Sequence, residues 1–149
     1  MIEFWEASFK DKQEMWGWAA ADSAFLAMEL FKKNDLHEIL IPGFGYGRNA
    51  KVFTDNGIKV EGIEISKTAI EIAQKQFAGG VHCYLENVGL MPFDEKVYDG
   101  IFCYALIHLL NMDERTKLIN DCYNQLRPGG LMFFYLSQKR ISGMGKEKS

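Results

Sequence analysis

Between Glu38 and Glu64 the chain carries, in order, an apolar run (Glu38-Ile39-Leu40-Ile41-Pro42), three glycines spaced by single aromatic residues (Gly43-Phe44-Gly45-Tyr46-Gly47), a short helical stretch and a second apolar run that ends in a carboxylate. Few folds accommodate that order. A strand that is apolar throughout needs both of its faces covered, as happens in parallel sheets flanked by helices. Glycines, lacking Cβ, let the backbone turn sharply and come close to a ligand. The free N–H groups of the helix that follows then face that ligand and favour an anion. A pyrophosphate or the carboxylate of an amino-acid-like ligand would serve, and the turn alone does not choose between them.

Two details narrow the choice. The third glycine of a dinucleotide fingerprint would fall at Arg48, and no phosphate-loop pattern ending in Gly-Lys-Ser/Thr is present, so both nucleotide-phosphate readings weaken. Glu64 lies 21 residues after Gly43, at the tip of the second strand, where a carboxylate can accept from both hydroxyls of a ribose. An adenosine-type ligand fits this placement.

The rest of the chain continues the alternation expected of a doubly wound α/β fold, a mainly parallel sheet with helices on both faces. Strands are predicted over Glu38–Pro42, Lys59–Ile65, Val81–Leu85, Asp99–Tyr104 and Leu131–Leu136. Helices are predicted over Asn49–Asn56, from the Ser66 cap to Phe77, and over Asp113–Arg127, where Leu118, Ile119, Cys122, Tyr123 and Leu126 form the apolar side. Gly57 suits a left-handed helix end, Gly79-Gly80 ends the next helix, and Pro128-Gly129-Gly130 breaks the chain before the fifth strand. Ahead of all this lies a helical preface, Met1–Lys10 and Ala19–Lys33, interrupted by Met15-Trp16-Gly17-Trp18.

Composition bounds the partners. The 149 residues, 48% apolar, suit one domain: a preface over 1–37, a core over 38–136 and a tail over 137–149. A formal charge of −3 provides no broad cationic field for nucleic acid. Cys83, Cys103 and Cys122 cannot all pair, which suits a reducing, cytoplasmic setting, and neither they nor the scattered His37, His82 and His108 show metal-ligand spacing. The longest apolar run, Ile101–Leu110, is ten residues, too short to span a bilayer.

The segments Ile41-Pro42-Gly43-Phe44-Gly45-Tyr46-Gly47-Arg48-Asn49-Ala50 and Val60-Glu61-Gly62-Ile63-Glu64-Ile65-Ser66 resemble small class I, Rossmann-like S-adenosylmethionine-dependent methyltransferases. Leu85-Glu86-Asn87-Val88-Gly89-Leu90-Met91-Pro92-Phe93, Tyr98-Asp99-Gly100-Ile101 and Leu126-Arg127-Pro128-Gly129-Gly130 extend the likeness, which covers Glu38 to Leu136. The resemblance implies that Pro42, Gly43, Phe44, Gly45, Gly47, Arg48 and Asn49 hold the cofactor, the glycines along its methionine and ribose portions. It implies that Glu64 holds the ribose hydroxyls, Ile65 packs on the adenine, and Asn87 and Val88 meet the adenine edge. Asn87 departs from the family's usual aspartate, yet its amide oxygen can still accept from the adenine amino group. Tyr104 and Ala105 would form the floor beneath the sulfonium, and Tyr104 and His108 are the candidates for a direct part in catalysis, His108 equally reading as a packed histidine at a helix start. Arg48 either pairs locally or faces a substrate carboxylate.

Phe4-Trp5-Glu6 and Trp16-Gly17-Trp18 further resemble the N-terminal segment of thiopurine methyltransferases, so Trp5 and Trp16, with Tyr46 and His108, are candidates for a lid or acceptor-facing role; the alternative is plain core. The implied activity is methyl transfer from S-adenosylmethionine to a small-molecule acceptor, leaving S-adenosylhomocysteine. A nicotinamide-dependent oxidoreductase fragment and a non-catalytic cofactor-binding subunit are the alternatives. Members of this family continue past the fifth strand with a helix and an antiparallel hairpin, whereas Gly143, Gly145, Lys146, Glu147 and Lys148 here read as a flexible tail. The fifth strand would then be a bare apolar edge, so either the chain is part of a longer protein or that edge is buried against another molecule, a second copy included.

Overall fold

A computed structural model of the chain describes residues 20–91, 95–104, 106–137 and 140–145. The elements run α1 (Asp22–Lys33), β1 (Glu38–Pro42), α2 (Ala50–Asp55), β2 (Lys59–Glu64), α3 (Lys67–Phe77), β3 (His82–Leu85), β4 (Tyr98–Tyr104), α4 (Met112–Asn124), β5 (Leu126–Ser137) and β6 (Arg140–Gly145). Short 3₁₀ turns lie at Val88–Leu90 and Ile107–Leu109. The six strands form one sheet in the order β3-β2-β1-β4-β5-β6, parallel except for β6.

Alternation along the strands feeds two cores, one on each face. Ile39, Ile41, Val60, Phe102 and Phe133 point to a face covered by Ala24, Ala27 and Phe31 of α1, Ala50, Val52 and Phe53 of α2, and Ala73 of α3. Leu40, Ile63, Ile101, Cys103, Met132 and Phe134 point to the other, covered by Leu118 and Cys122 of α4. This two-sided burial is why β1 and β4 read as continuous apolar runs. Fully burying a side chain such as Phe31 or Phe53 contributes about 1.5–3 kcal/mol.

Helix ends follow from local chemistry. Ser66 Oγ accepts the Ala69 N–H at 3.2 Å to start α3, and Asn111 with Glu114 forms a reciprocal capping box at the start of α4. The N-terminal rim of the sheet is fastened by Asp99. One carboxylate oxygen accepts the His37 and Glu38 N–H groups at 2.9 and 3.1 Å, and the other accepts from Arg127.

Four expectations need correction. Pro128-Gly129-Gly130 does not break the chain before β5: Tyr98 pairs with Leu126 and Gly100 with Leu131, so the residues between are extruded as a bulge opposite Asp99, and the strand runs from Leu126. The helix expected to reach Arg127 therefore ends at Asn124, and Tyr123, assigned to its apolar side, is 43% exposed. Most consequentially, 137–149 is not a tail throughout. Arg140–Gly145 pairs antiparallel with β5 in register from Leu131↔Gly145 to Ser137↔Arg140. Ladder bonds use backbone groups, which glycine carries as any residue does, so a glycine-rich stretch follows the template offered by a long apolar strand. The β5 edge on which truncation and self-association were argued is thus paired within the chain.

Candidate functional site

The C-terminal ends of β1, β2 and β4 open on one rim, where connections between parallel strands leave room for a ligand. The turn after β1 is fixed from below by the Gly43 and Phe44 N–H groups, both donating to the Ile63 carbonyl at 2.9 Å. Gly43, Gly45 and Gly47 adopt φ of 70°, 64° and 96°. Their surroundings differ. At Gly47 a Cβ would lie 2.4 Å from the Phe77 ring, and at Gly43 3.2 Å from Leu106 Cδ2, whereas at Gly45 it would meet nothing within 4 Å among the described residues. Gly47 therefore serves packing on α3, and of the three glycines Gly45 is the one with room beside it among the described residues.

Glu64 ends β2 beside this turn and is only 6% exposed. Its two oxygens are held separately: Oε1 accepts the Gly45 N–H at 2.9 Å and Oε2 the Ser66 N–H at 2.7 Å. A buried carboxylate needs such donors. A carboxylate whose two oxygens are each braced by an amide offers two acceptor atoms side by side, an arrangement suited to a pair of neighbouring hydroxyls. On β3, burial and the nearby Glu64 charge push the Cys83 thiol far up.

The other sequence-selected residues divide. Pro42 is fully buried at the end of β1, opposite Ile63, and Ile65 is half-buried just past Glu64. Asn87 is exposed, with Oδ1 accepting the Gly89 N–H at 2.7 Å to start the Val88–Leu90 turn, while Val88 packs against the α4-side core. Arg48 lies with its guanidinium 5.7 Å from the centre of the Tyr104 ring. Tyr104 stacks on Tyr135 at 4.8 Å and 16°.

Three assignments shift. Phe44 faces inward, packing against Phe77 and filling the space left by Gly62. Tyr46, expected at the lid or acceptor, is 2% exposed and sits with Ala69 and Ile72 of α3. Asn49, expected on the cofactor, accepts the Ala21 N–H on its Oδ1 at 2.9 Å, tying the start of α1 to the start of α2. In each case aromatic or amide character was visible but the direction of the side chain was not. Trp5, Trp16 and Ala105 lie outside the described residues, as does the side chain of His108, whose backbone forms the middle of the Ile107–Leu109 turn. Tyr135 escaped the sequence reading because its place beside Tyr104 depends on β4 and β5 being neighbours in register.

A family model described as a methyltransferase domain matches residues 40–134. An O-methyltransferase of Aspergillus nomiae is 34% identical over 97 residues, 61% of this chain and 42% of that protein. One of Aspergillus sclerotiorum is likewise 34% identical over 97 residues, covering 36% of its length. Among solved structures, an amino pentose methyltransferase of Micromonospora echinaspora with bound SAM superposes with a TM-score of 0.71 at 19% identity, over 90% of this chain and 56% of that one. The CcbJ methyltransferase of Streptomyces caelestis gives 0.70 at 24% identity, over 78% and 49%. These superpositions establish the fold. The chain spans less than half the length of the two fungal relatives.

Proposed function

Since this chain belongs to the methyltransferase domain family, we propose that it transfers a methyl group from S-adenosylmethionine to a small-molecule acceptor, leaving S-adenosylhomocysteine. The observation that carries the reading is the Glu64 carboxylate, buried and braced by the Gly45 and Ser66 amides beside the glycine turn. Glu64 would accept from the ribose hydroxyls, with Gly43 and Gly45 along the methionine portion and Ile65, Asn87 and Val88 around the adenine. When bound, the cofactor supplies a methyl group already activated by positive sulfur. What the chain itself must do is hold, align and exclude water. The Tyr104 and Tyr135 rings, stacked across β4 and β5, would wall the rim on the α1 side, with Arg48 against Tyr104. Tyr104 and His108 are the candidates for a direct part in catalysis, by their places at the end of β4 and just after it.

A small acceptor is supported by the relatives named O-methyltransferases and by a formal charge of −3, which is poorly suited to a nucleic acid. A cytoplasmic setting is supported by three free thiols, two of them buried. Among the described residues no helix is long and apolar enough to cross a membrane.

Calorimetric titration with S-adenosylmethionine, S-adenosylhomocysteine and NAD tests the reading. We expect binding of the first two, and a loss of about 1–3 kcal/mol in Glu64→Gln, which exchanges one charged acceptor oxygen for an amide nitrogen. Preference for NAD, or unchanged affinity in the folded variant, would overturn it.

A further inference from the structure

We propose that Arg115, on α4, is a positioning residue for the methyl-transfer site, holding the turn after β4 in the shape that closes the cofactor rim. The inference rests on the cofactor reading above and concerns a residue outside the glycine turn, the Glu64 tip and the adenine-side segment.

The turn after β4 carries Leu106 into the rim, with its Cδ2 only 3.2 Å from where a Gly43 Cβ would stand. Among the described residues its own backbone bonds are two, Leu109 N–H to the Leu106 carbonyl at 2.9 Å and Leu110 N–H to the Ile107 carbonyl at 3.2 Å. A single 3₁₀ turn of this kind has poor hydrogen-bond geometry and little cooperativity of its own. Arg115 supplies what the turn lacks. Its Nε–H is shared between the Ile107 carbonyl at 2.9 Å and the Leu110 carbonyl at 2.8 Å, one at each end of the turn. Those two acceptors come within reach of one donor only when the turn is folded, and a bond from a charged donor is about twice as strong as a neutral one.

Arg115 is itself well anchored. The capping box formed by Asn111 and Glu114 fixes the first turn of α4 immediately before it, and the Arg115 N–H donates to the Asn111 carbonyl at 2.9 Å. Lys117, half a turn on, donates to the Met91 carbonyl at 3.0 Å, at the end of the segment that would border the adenine. Side chains half a turn apart on α4 thus reach the two turns beside the candidate site. The geometry sets Arg115 apart from a helix residue that merely stabilises the fold, because the carbonyls it holds belong to the segment bearing Leu106 and His108.

The donating atom selects the variants. Glutamine bears its amide nitrogen on Cδ, the carbon that bears Nε in arginine, so Arg115→Gln keeps a donor at that position without the charge. Arg115→Met keeps the apolar stem and removes the donor. Affinity for S-adenosylmethionine, measured well below each variant's melting temperature, should fall about tenfold in Arg115→Met and return to within about threefold of the parent in Arg115→Gln. Hydrogen exchange at the Leu109 and Leu110 amides should accelerate in the methionine variant and be restored in the glutamine one. Parental affinity in Arg115→Met, or equal losses in the two variants, would overturn the proposal while leaving the cofactor reading intact. A parent protein that binds no S-adenosylmethionine would overturn both.

Discussion

A Cβ placed on Gly62 lands 2.4 Å from Cδ2 of Phe44 and 2.8 Å from its Cβ, so the whole root of that side chain would have to move, whereas a Cβ on Gly45 meets none of the described residues within 4 Å. The two glycines therefore answer to different demands. Gly62→Ala should cost about 1–3 kcal/mol in a urea titration through overpacking. Gly45→Ala should cost about 1 kcal/mol, from φ of +64° alone, with its main effect on S-adenosylmethionine affinity. A Gly45→Ala protein that binds like the parent would show that the turn does not touch the ligand. The glycine spacing and the 21-residue step to Glu64 were legible because they depend on backbone freedom and strand length, which are local. The inward direction of Phe44 and Tyr46 was not, since it is set by Gly62 and by the Ala69 face of α3, partners on separate elements.

At the scale of elements, two carboxylates tie strands that share no sequence neighbourhood. Asp99 gathers the start of β1 and, through Arg127, the bulged start of β5. Asp99→Ala leaves two backbone N–H groups without their acceptor, and a loss of about 2–4 kcal/mol is expected in the urea midpoint. Ligand affinity should change little, because the site lies at the opposite end of the strands; a loss below about 0.5 kcal/mol would sink the tie as a stabilising device. Glu61 on β2 accepts from Lys96 at 2.9 Å and from the buried Tyr98 hydroxyl at 2.7 Å. Burial pushes its carboxyl up, but these bonds and the Lys96 charge outweigh that and hold it below the usual range. Its contribution is then present above the unfolded value of about 4.3 and lost as pH falls through the lower folded value, so the melting temperature should drop in that acid window and drop less steeply in Glu61→Gln. An identical acid profile for the variant would count against it. The helix start at Ser66 was legible, and so were the first four strands, by their apolar runs, whereas the Asn111 cap of α4 lies two residues before the expected start at Asp113. The bulge at Pro128-Gly129-Gly130 was not, because these residues signal a break while the backbone on either side remains in the ladder with Tyr98 and Gly100.

At the scale of the whole molecule, the position of β6 decides how the sheet meets its surroundings. β5 carries Met132, Phe133 and Phe134 to both cores, and it is the longest strand of the sheet. Left bare, its outer row of backbone donors and acceptors would be a template for pairing with another chain. Arg140–Gly145 occupies that row from Leu131 to Ser137. The covering strand is shorter, with Ser142, Gly143 and Gly145 among its six residues, a composition that pairs adequately through its backbone but presents a poor new edge for apolar association. Composition alone suggested a solvated tail because it weighs side chains, and the pairing is decided by what β5 offers. Ending the chain at Ser137 should therefore leave the cores and the Glu64 turn in place while freeing the β5 edge. Sedimentation of the shortened protein is expected to show concentration-dependent association absent from the parent under the same conditions, with increased light scattering on mild heating. S-adenosylmethionine affinity should stay within about threefold of the parent, since the turn after β1 and the tip of β2 are separated from β6 by β4 and β5. Sedimentation and scattering indistinguishable from the parent would mean that β6 is not what keeps this edge from pairing, and a collapse of ligand binding would mean that the hairpin supports the site as well as the sheet.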